Sequence, residues 1–300
     1  MKRGKFNGRP ERGQPCPRVS RARAWLSLLL LLAPLAASAH EDLLARIALL
    51  SEVLRTNGPS AEVMFQRAEI YRLHLDWELA LRDYDTAAPA LTNESRLALG
   101  RALTLSGAGK PAEARQVFDE GLRRWPTNVS LRLGRARVLA ELGTPSQALD
   151  DFNTALAHSA NPGPEDYLER AKLQAAVSGP AAAVSGLDEG LRKLGWTLTL
   201  QRLAVDYARA AGDSTGALAR LETILERANR KENWLALKGE ILQQAGRKSE
   251  ACAAYEDAWK AIGELPPRLV RAGVVVALQT RVEAALAGLK REGGTNQADH

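Results

Sequence analysis

His40, His74, His158 and His300 are the only imidazoles in this chain, and a metal centre built on them would need several ligands brought to one place. His40 follows the small-residue sequence Ala37-Ser38-Ala39. A cut there would leave His40 with a free α-amine beside its imidazole, a pair that can grip copper. Metal binding at His40 is therefore one expectation, and it stands as the alternative to the binding role developed below. Gly107-Ala108-Gly109-Lys110-Pro111 has the look of a phosphate-binding loop. Thr104 stands where its first glycine belongs, and Pro111 replaces the Ser or Thr that would hold magnesium. No HExxH, GxSxG or paired-cysteine metal pattern occurs. Cys252 is the one cysteine after Cys16, so the body has no internal disulfide. These residues point to a chain that is not an enzyme and needs no cofactor.

Arg67, Arg101, Arg135 and Arg170 recur at nearly equal spacing, which could mark an anion site. Asp83 and Asp151 follow Arg67 and Arg135 by sixteen residues, and internal ion pairs are the favoured reading. Asn93-Glu94-Ser95 and Asn128-Val129-Ser130 match glycosylation acceptors, a pattern frequent by chance.

The elements that must carry function come next. Eight of the chain's 41 Lys and Arg residues lie in residues 1–39 with a single acid, Glu11, so the basic pI is local. The remainder is near neutral and gives no electrostatic case for nucleic acid, whose binding needs clustered cations. The basic stretch precedes the apolar run Trp25–Ala37, which Pro34 interrupts and which is too short to span a bilayer core requiring about 20 residues. Residues 1–39 read as a signal peptide that leaves no stable membrane span after cleavage. The Pro/Gly/Arg-rich stretch 1–18 is long for such a leader and suggests a true start near Val19. The expectation is an exported protein, periplasmic or secreted.

The body repeats itself. Ala80, Ala114, Ala148, Ala183, Ala217 and Ala251 are 34 or 35 residues apart. Four residues after each comes a bulky side chain: Tyr84, Phe118, Phe152, Leu187, Leu221 and Tyr255. Twelve before each stands Ala68, Ala102, Ala136, Ala171, Val205 or Gly239. Small residues in phase let two helices approach closely, and the bulky one fills the gap toward the next pair. Turns are written between them as Gly109-Lys110-Pro111, Gly143-Thr144-Pro145, Gly179-Pro180, Gly212-Asp213 and Gly246-Arg247. These columns resemble the tetratricopeptide repeat, with repeats at 61–94, 95–128, 129–163, 164–197, 198–231 and 232–265. Leu75 departs from the turn glycine, and repeats four and five lack the aromatic. Residues 40–58 read as an N-terminal capping helix, with Leu43, Leu44, Ile47, Leu50 and Leu54 on one side. Residues 268–291 read as a C-terminal capping helix, and 292–300 as a disordered tail. The resemblance implies an all-α, right-handed α-solenoid of about six hairpins.

It also implies a binding wall made by the first helix of each hairpin, holding a protein or peptide partner of unknown identity. Its side chains would be Phe65, Glu69, Arg96, Leu99, Leu103, Leu133, Arg137, Leu168, Lys172 and Arg202. Phe65, Leu99, Leu133 and Leu168 form an apolar strip suited to an amphipathic or extended segment. The Lys and Asn clamp of chaperone-tail receptors is absent from these columns.

Overall fold

The computed structural model describes the backbone of residues 41–295 and the side chains of residues 41–291. The expected leader, His40 and His300 lie outside that span. The described residues are all-α, without a strand. Helix α1 covers residues 41–57. Six hairpins follow: α2 (Ala61–Leu73) with α3 (Trp77–Ala87), α4 (Glu94–Gly107) with α5 (Pro111–Arg124), and α6 (Val129–Glu141) with α7 (Pro145–His158). Next come α8 (Pro164–Ser178) with α9 (Pro180–Leu194), α10 (Leu198–Ala210) with α11 (Ser214–Arg227), and α12 (Glu232–Gln244) with α13 (Lys248–Gly263). Two compact units result, one ending at Thr92 and one starting at Asn93.

Local chemistry sets these boundaries. Proline opens α5, α7, α8 and α9, where its missing N–H costs nothing. Asn93, Asn128 and Asp213 cap α4, α6 and α11 by accepting from Arg96, Leu131 and Gly216 N–H groups. Both asparagines of the glycosylation-like triplets therefore use their side-chain oxygens as helix caps. Each hairpin turn but one closes with the same bond from an N–H to a carbonyl five residues back. Lys110 to Leu105, Thr144 to Leu139, Asp213 to Ala208 and Arg247 to Leu242 each measure 2.9 Å. The corner residue takes a left-handed conformation, as glycine at 109, 143, 212 and 246. In the first hairpin that corner is Leu75, with φ of 69°. At α8–α9 the link shrinks to Gly179 alone.

The phased small residues are all buried, as are the six bulky ones that follow them. Burying a side chain such as Phe118 contributes roughly 1.5–3 kcal/mol. The fit leaves no room: a Cβ on Gly134 would lie 2.4 Å from Phe118 Cζ. In the first unit, α1 sits on α2 through Ser51, which accepts from Arg67 at 2.9 Å. Arg135 reaches back sixteen residues to Asp119 in the same way, so α1 stands to α2 as α5 stands to α6. Ile47, Leu50 and Leu54 of α1 are half-buried, whereas Leu44 is exposed.

The C-terminal end differs from expectation. The capping helix read over 268–291 is divided into a single turn, α14 (Pro267–Val270), and a long helix, α15 (Gly273–Thr295). Pro266 and Pro267 start a turn that closes at Ala272, and Gly273 lowers the helical preference enough for the chain to restart there. Val275, Leu278, Val282 and Leu289 then bury against the last hairpin. The tail read as disordered from residue 292 is helical to Thr295, because Gly293 and Gly294 weaken a helix without removing its N–H donors.

Candidate peptide-binding face

In the second unit the first helices α4 and α6 pack on each other, and so do α8 and α10. Helix α6 packs on α5 and α4, α8 on α7, α10 on α9 and α8, and α12 on α11. The columns read as wall positions keep solvent exposure on these helices. Leu99 and Leu103 on α4, Leu133 on α6 and Leu168 on α8 are half-buried, while Arg96, Lys172 and Arg202 are exposed. Leu168 rests on the cluster formed by Tyr167, Leu187 and Leu200.

Two expected wall residues are committed elsewhere. Phe65 is only 3% exposed, with its ring 5.6 Å from that of Tyr84, so it is a core side chain rather than a contact surface. Glu69 accepts from the Tyr84 hydroxyl and from Arg72 at 2.7 Å. Burial and then the bond to Glu69 push the Tyr84 ionisation far above the ordinary phenol range. The first unit thus uses both residues internally.

Arg137 is a strut across the face. Its guanidinium lies 2.8 Å from Glu169 and 3.5 Å from Asp166, joining α6 to α8. Asp166 also accepts from Gly163 N–H at 3.0 Å, closing the start of α8. Further along, Arg209 donates to Gln244 at 3.3 Å and Arg281 of α15 meets Glu240 at 3.4 Å. Sequence reading missed these partners. The signal available was the interval of 32 between Arg137 and Glu169, close to one repeat.

Arg67 and Arg135 pair internally, as their spacing predicted. Arg67 meets Asp83 at 2.6 Å and Arg135 meets Asp151 at 2.7 Å. Arg135 also holds Asp119 at 2.8 Å, Arg132 holds Asp151 at 3.1 Å and Arg115 holds Asp119 at 3.5 Å. These bonds, Asp151 foremost, raise the Arg135 ionisation. Arg170 finds Gly186 where repeats one and three have Asp; it donates to that carbonyl and to Glu189, each at 2.9 Å. Arg67, Arg135 and Arg170 are bolts between helices.

Among the described residues no cluster of three His, Cys, Asp or Glu could hold a metal ion, and no helix is long and apolar enough to cross a membrane. His74 contacts Asp76 at 2.7 Å, and His158 faces the Thr154 carbonyl at 2.8 Å. Residues 107–111 form the α4–α5 turn, without the strand that a phosphate loop requires. A cavity of about 450 Å³ at the α11–α12 turn is lined by Arg230, Lys231, Lys260, Asp257 and Glu264. The buried Glu232 is neutralised there by Arg230 at 2.7 Å.

Comparison with known proteins gives the same picture. No curated protein matches the chain. A family model described as tetratricopeptide repeat matches residues 99–164. Among solved structures, the C-terminal part of a TPR repeat-containing protein from Cytophaga hutchinsonii is 14% identical. It covers 79% of this chain and 94% of its own, with a TM-score of 0.62. A tetratricopeptide repeat protein from Parabacteroides merdae is 16% identical and covers 87% and 99%, with a TM-score of 0.50. PilW, a type IV pilus biogenesis factor, is 18% identical and covers 70% and 94%, with a TM-score of 0.51. With the phased columns, the shared hairpin geometry and these matches in hand, the chain has the tetratricopeptide repeat fold, and its residues 99–164 match that family's model.

Proposed function

We propose that this protein is a non-catalytic adaptor that holds a protein or peptide partner on the first-helix face of its second unit. The row of half-buried leucines on that face, Leu99, Leu133 and Leu168, carries the reading. Each keeps an exposed part at the same position of its repeat, and apolar surface repeated in this way favours an apolar partner. The fold supports it too, since tetratricopeptide hairpins suit an interaction scaffold. One structural neighbour, Naa15/Naa10, is described as bound to HypK-THB; it is 16% identical and covers 79% of this chain and 35% of its own, with a TM-score of 0.56. The leader at 1–39 supports export, and N-terminal sequencing of the purified native protein is expected to start at His40.

Peptide display against the purified body tests the binding role. Sequences enriched on the wild-type protein are expected to be lost on the Leu99→Glu/Leu133→Glu variant, with helicity and melting unchanged. Enrichment that survives in a folded variant rejects the leucine row as the contact surface.

A further inference from the structure

We infer that this protein binds a second copy of itself end to end, α15 of one copy completing the hairpin that α1 of the next leaves unfinished. The inference goes beyond the binding reading above and does not depend on it.

Helix α1 has the place of a second helix. It meets α2 through Ser51 and Arg67 as α5 meets α6 through Asp119 and Arg135, each time across sixteen residues. The residues 34 before Asp83, Tyr84 and Ala87 of α3 are Leu49, Leu50 and Val53 of α1. All three are buried in α3, which its first helix α2 covers. None of their counterparts in α1 is buried, and Leu49 is 64% exposed. Indeed no residue of α1 is fully buried. Leu49 stands where Asp83 receives Arg67 from its own first helix, so the open side of α1 is the side that a first helix covers elsewhere.

Helix α15 is the converse. It packs on α13 through Val275, Leu278 and Val282, and Arg281 reaches Glu240 of the preceding first helix, α12. That is the place of a first helix. The first helices α6, α10 and α12 are each held between two second helices, whereas α15 has only α13 among the described residues. Val276, Thr280, Ala284 and Ala287 are exposed, and at 100° per residue they form one stripe opposite Val275, Leu278 and Val282. A helix that closes a solenoid presents a polar outer face. Leucine on the open side of α1 and valine and alanine on that of α15 suit a helix partner instead.

Charge favours each as the other's cover. The helices of a hairpin run antiparallel, so α15 docked in this way sets its C-terminal turns beside the first turn of α1. Lys290 is exposed on the former, and Glu41 and Asp42 on the latter. Further in, Arg46 of α1 and Glu283 of α15 carry the opposite pair, both exposed. Pairing α1 with a second α1 would set one second helix on another, a contact that no hairpin here uses. Because the two faces differ, each added copy leaves one end open for the next.

Sedimentation velocity over a concentration series of the purified protein tests this, with intact mass fixing its N-terminus. The average mass should rise with concentration above that of one chain. Leu49→Glu and Ala284→Glu lie at exposed positions, and circular dichroism checks their folding. Each alone should associate at least about tenfold more weakly, because docking would bury an unpaired carboxylate. Mixed in equal amounts, the two should form a dimer and stop there, since each supplies one intact end. Arg46→Glu or Glu283→Arg should weaken association about threefold, and both in one chain should restore it. A monomer at every concentration overturns the inference, as does a mixture of Leu49→Glu and Ala284→Glu that stays monomeric. Undiminished association of Ala284→Glu alone would assign α1 to a second α1, and of Leu49→Glu alone would assign α15 to a second α15; either overturns it. A monomer that still carries residues 27–37 would make that segment the cover of α1 and overturn it as well.

Discussion

Leu75 holds the left-handed corner that Gly109, Gly143, Gly212 and Gly246 fill in other hairpins, and the residue is 64% exposed. A β-carbon in that conformation costs roughly 1–2 kcal/mol, partly offset by the unfolded-chain entropy that glycine adds. Leu75→Gly should therefore stabilise the protein by about 0.5–1 kcal/mol in urea unfolding, and no gain would mean that the leucine makes compensating contacts. Gly134 has the opposite constraint. Its missing Cβ is occupied by the fully buried Phe118 ring, so Gly134→Ala should destabilise by about 1–3 kcal/mol in the same measurement. The turn glycines and the aromatic column were legible as residue types at fixed spacing. The burial of Phe65 was not, because its column carries half-buried leucines in the next three hairpins and nothing in its own type reveals the Tyr84 ring beside it.

Between elements, the bolts are ion pairs. Asp151 is buried and receives both Arg132 and Arg135, tying α7 to α6, while Asp119 extends the chain of charges to α5. Asp151→Ala would leave two arginines without their shared carboxylate, and removing one partner of a buried pair costs about 3–5 kcal/mol. The upper part of that range is not expected, since both arginines keep some solvent contact; about 3 kcal/mol is the predicted loss of unfolding free energy. A change below 1 kcal/mol would show the network to be ornamental. Helix starts were written plainly as Pro, Asn or Asp, and the sixteen-residue interval foretold Arg67–Asp83 and Arg135–Asp151. The break before α15 was hidden because Val, Ala and Leu continue the helical pattern on both sides of Gly273. The Arg137 strut was equally hidden, since its partners lie one repeat away on a column not read as charged.

At the scale of the whole molecule, stability is built from neighbours. Within the second unit each hairpin buries its apolar faces against the next, so a defect there should be felt locally and fade with distance. Phe118→Ala is expected to cost about 3–5 kcal/mol where it occurs. Hydrogen exchange should then accelerate in α4 to α7 while α12 and α13 keep their protection. Uniform loss would contradict a nearest-neighbour stack. The repeat period, and with it the fold, could be read from sequence because stacking copies one pattern. The wall was readable only as columns, since whether a column faces water depends on what its neighbours leave uncovered. The account turns on whether the first-helix leucines touch a partner. Methyl NMR of leucine-labelled protein titrated with a display-selected peptide answers this most directly. Shifts at Leu99, Leu133 and Leu168 are the predicted result, and shifts confined to second-helix leucines such as Leu149 and Leu191 would contradict it.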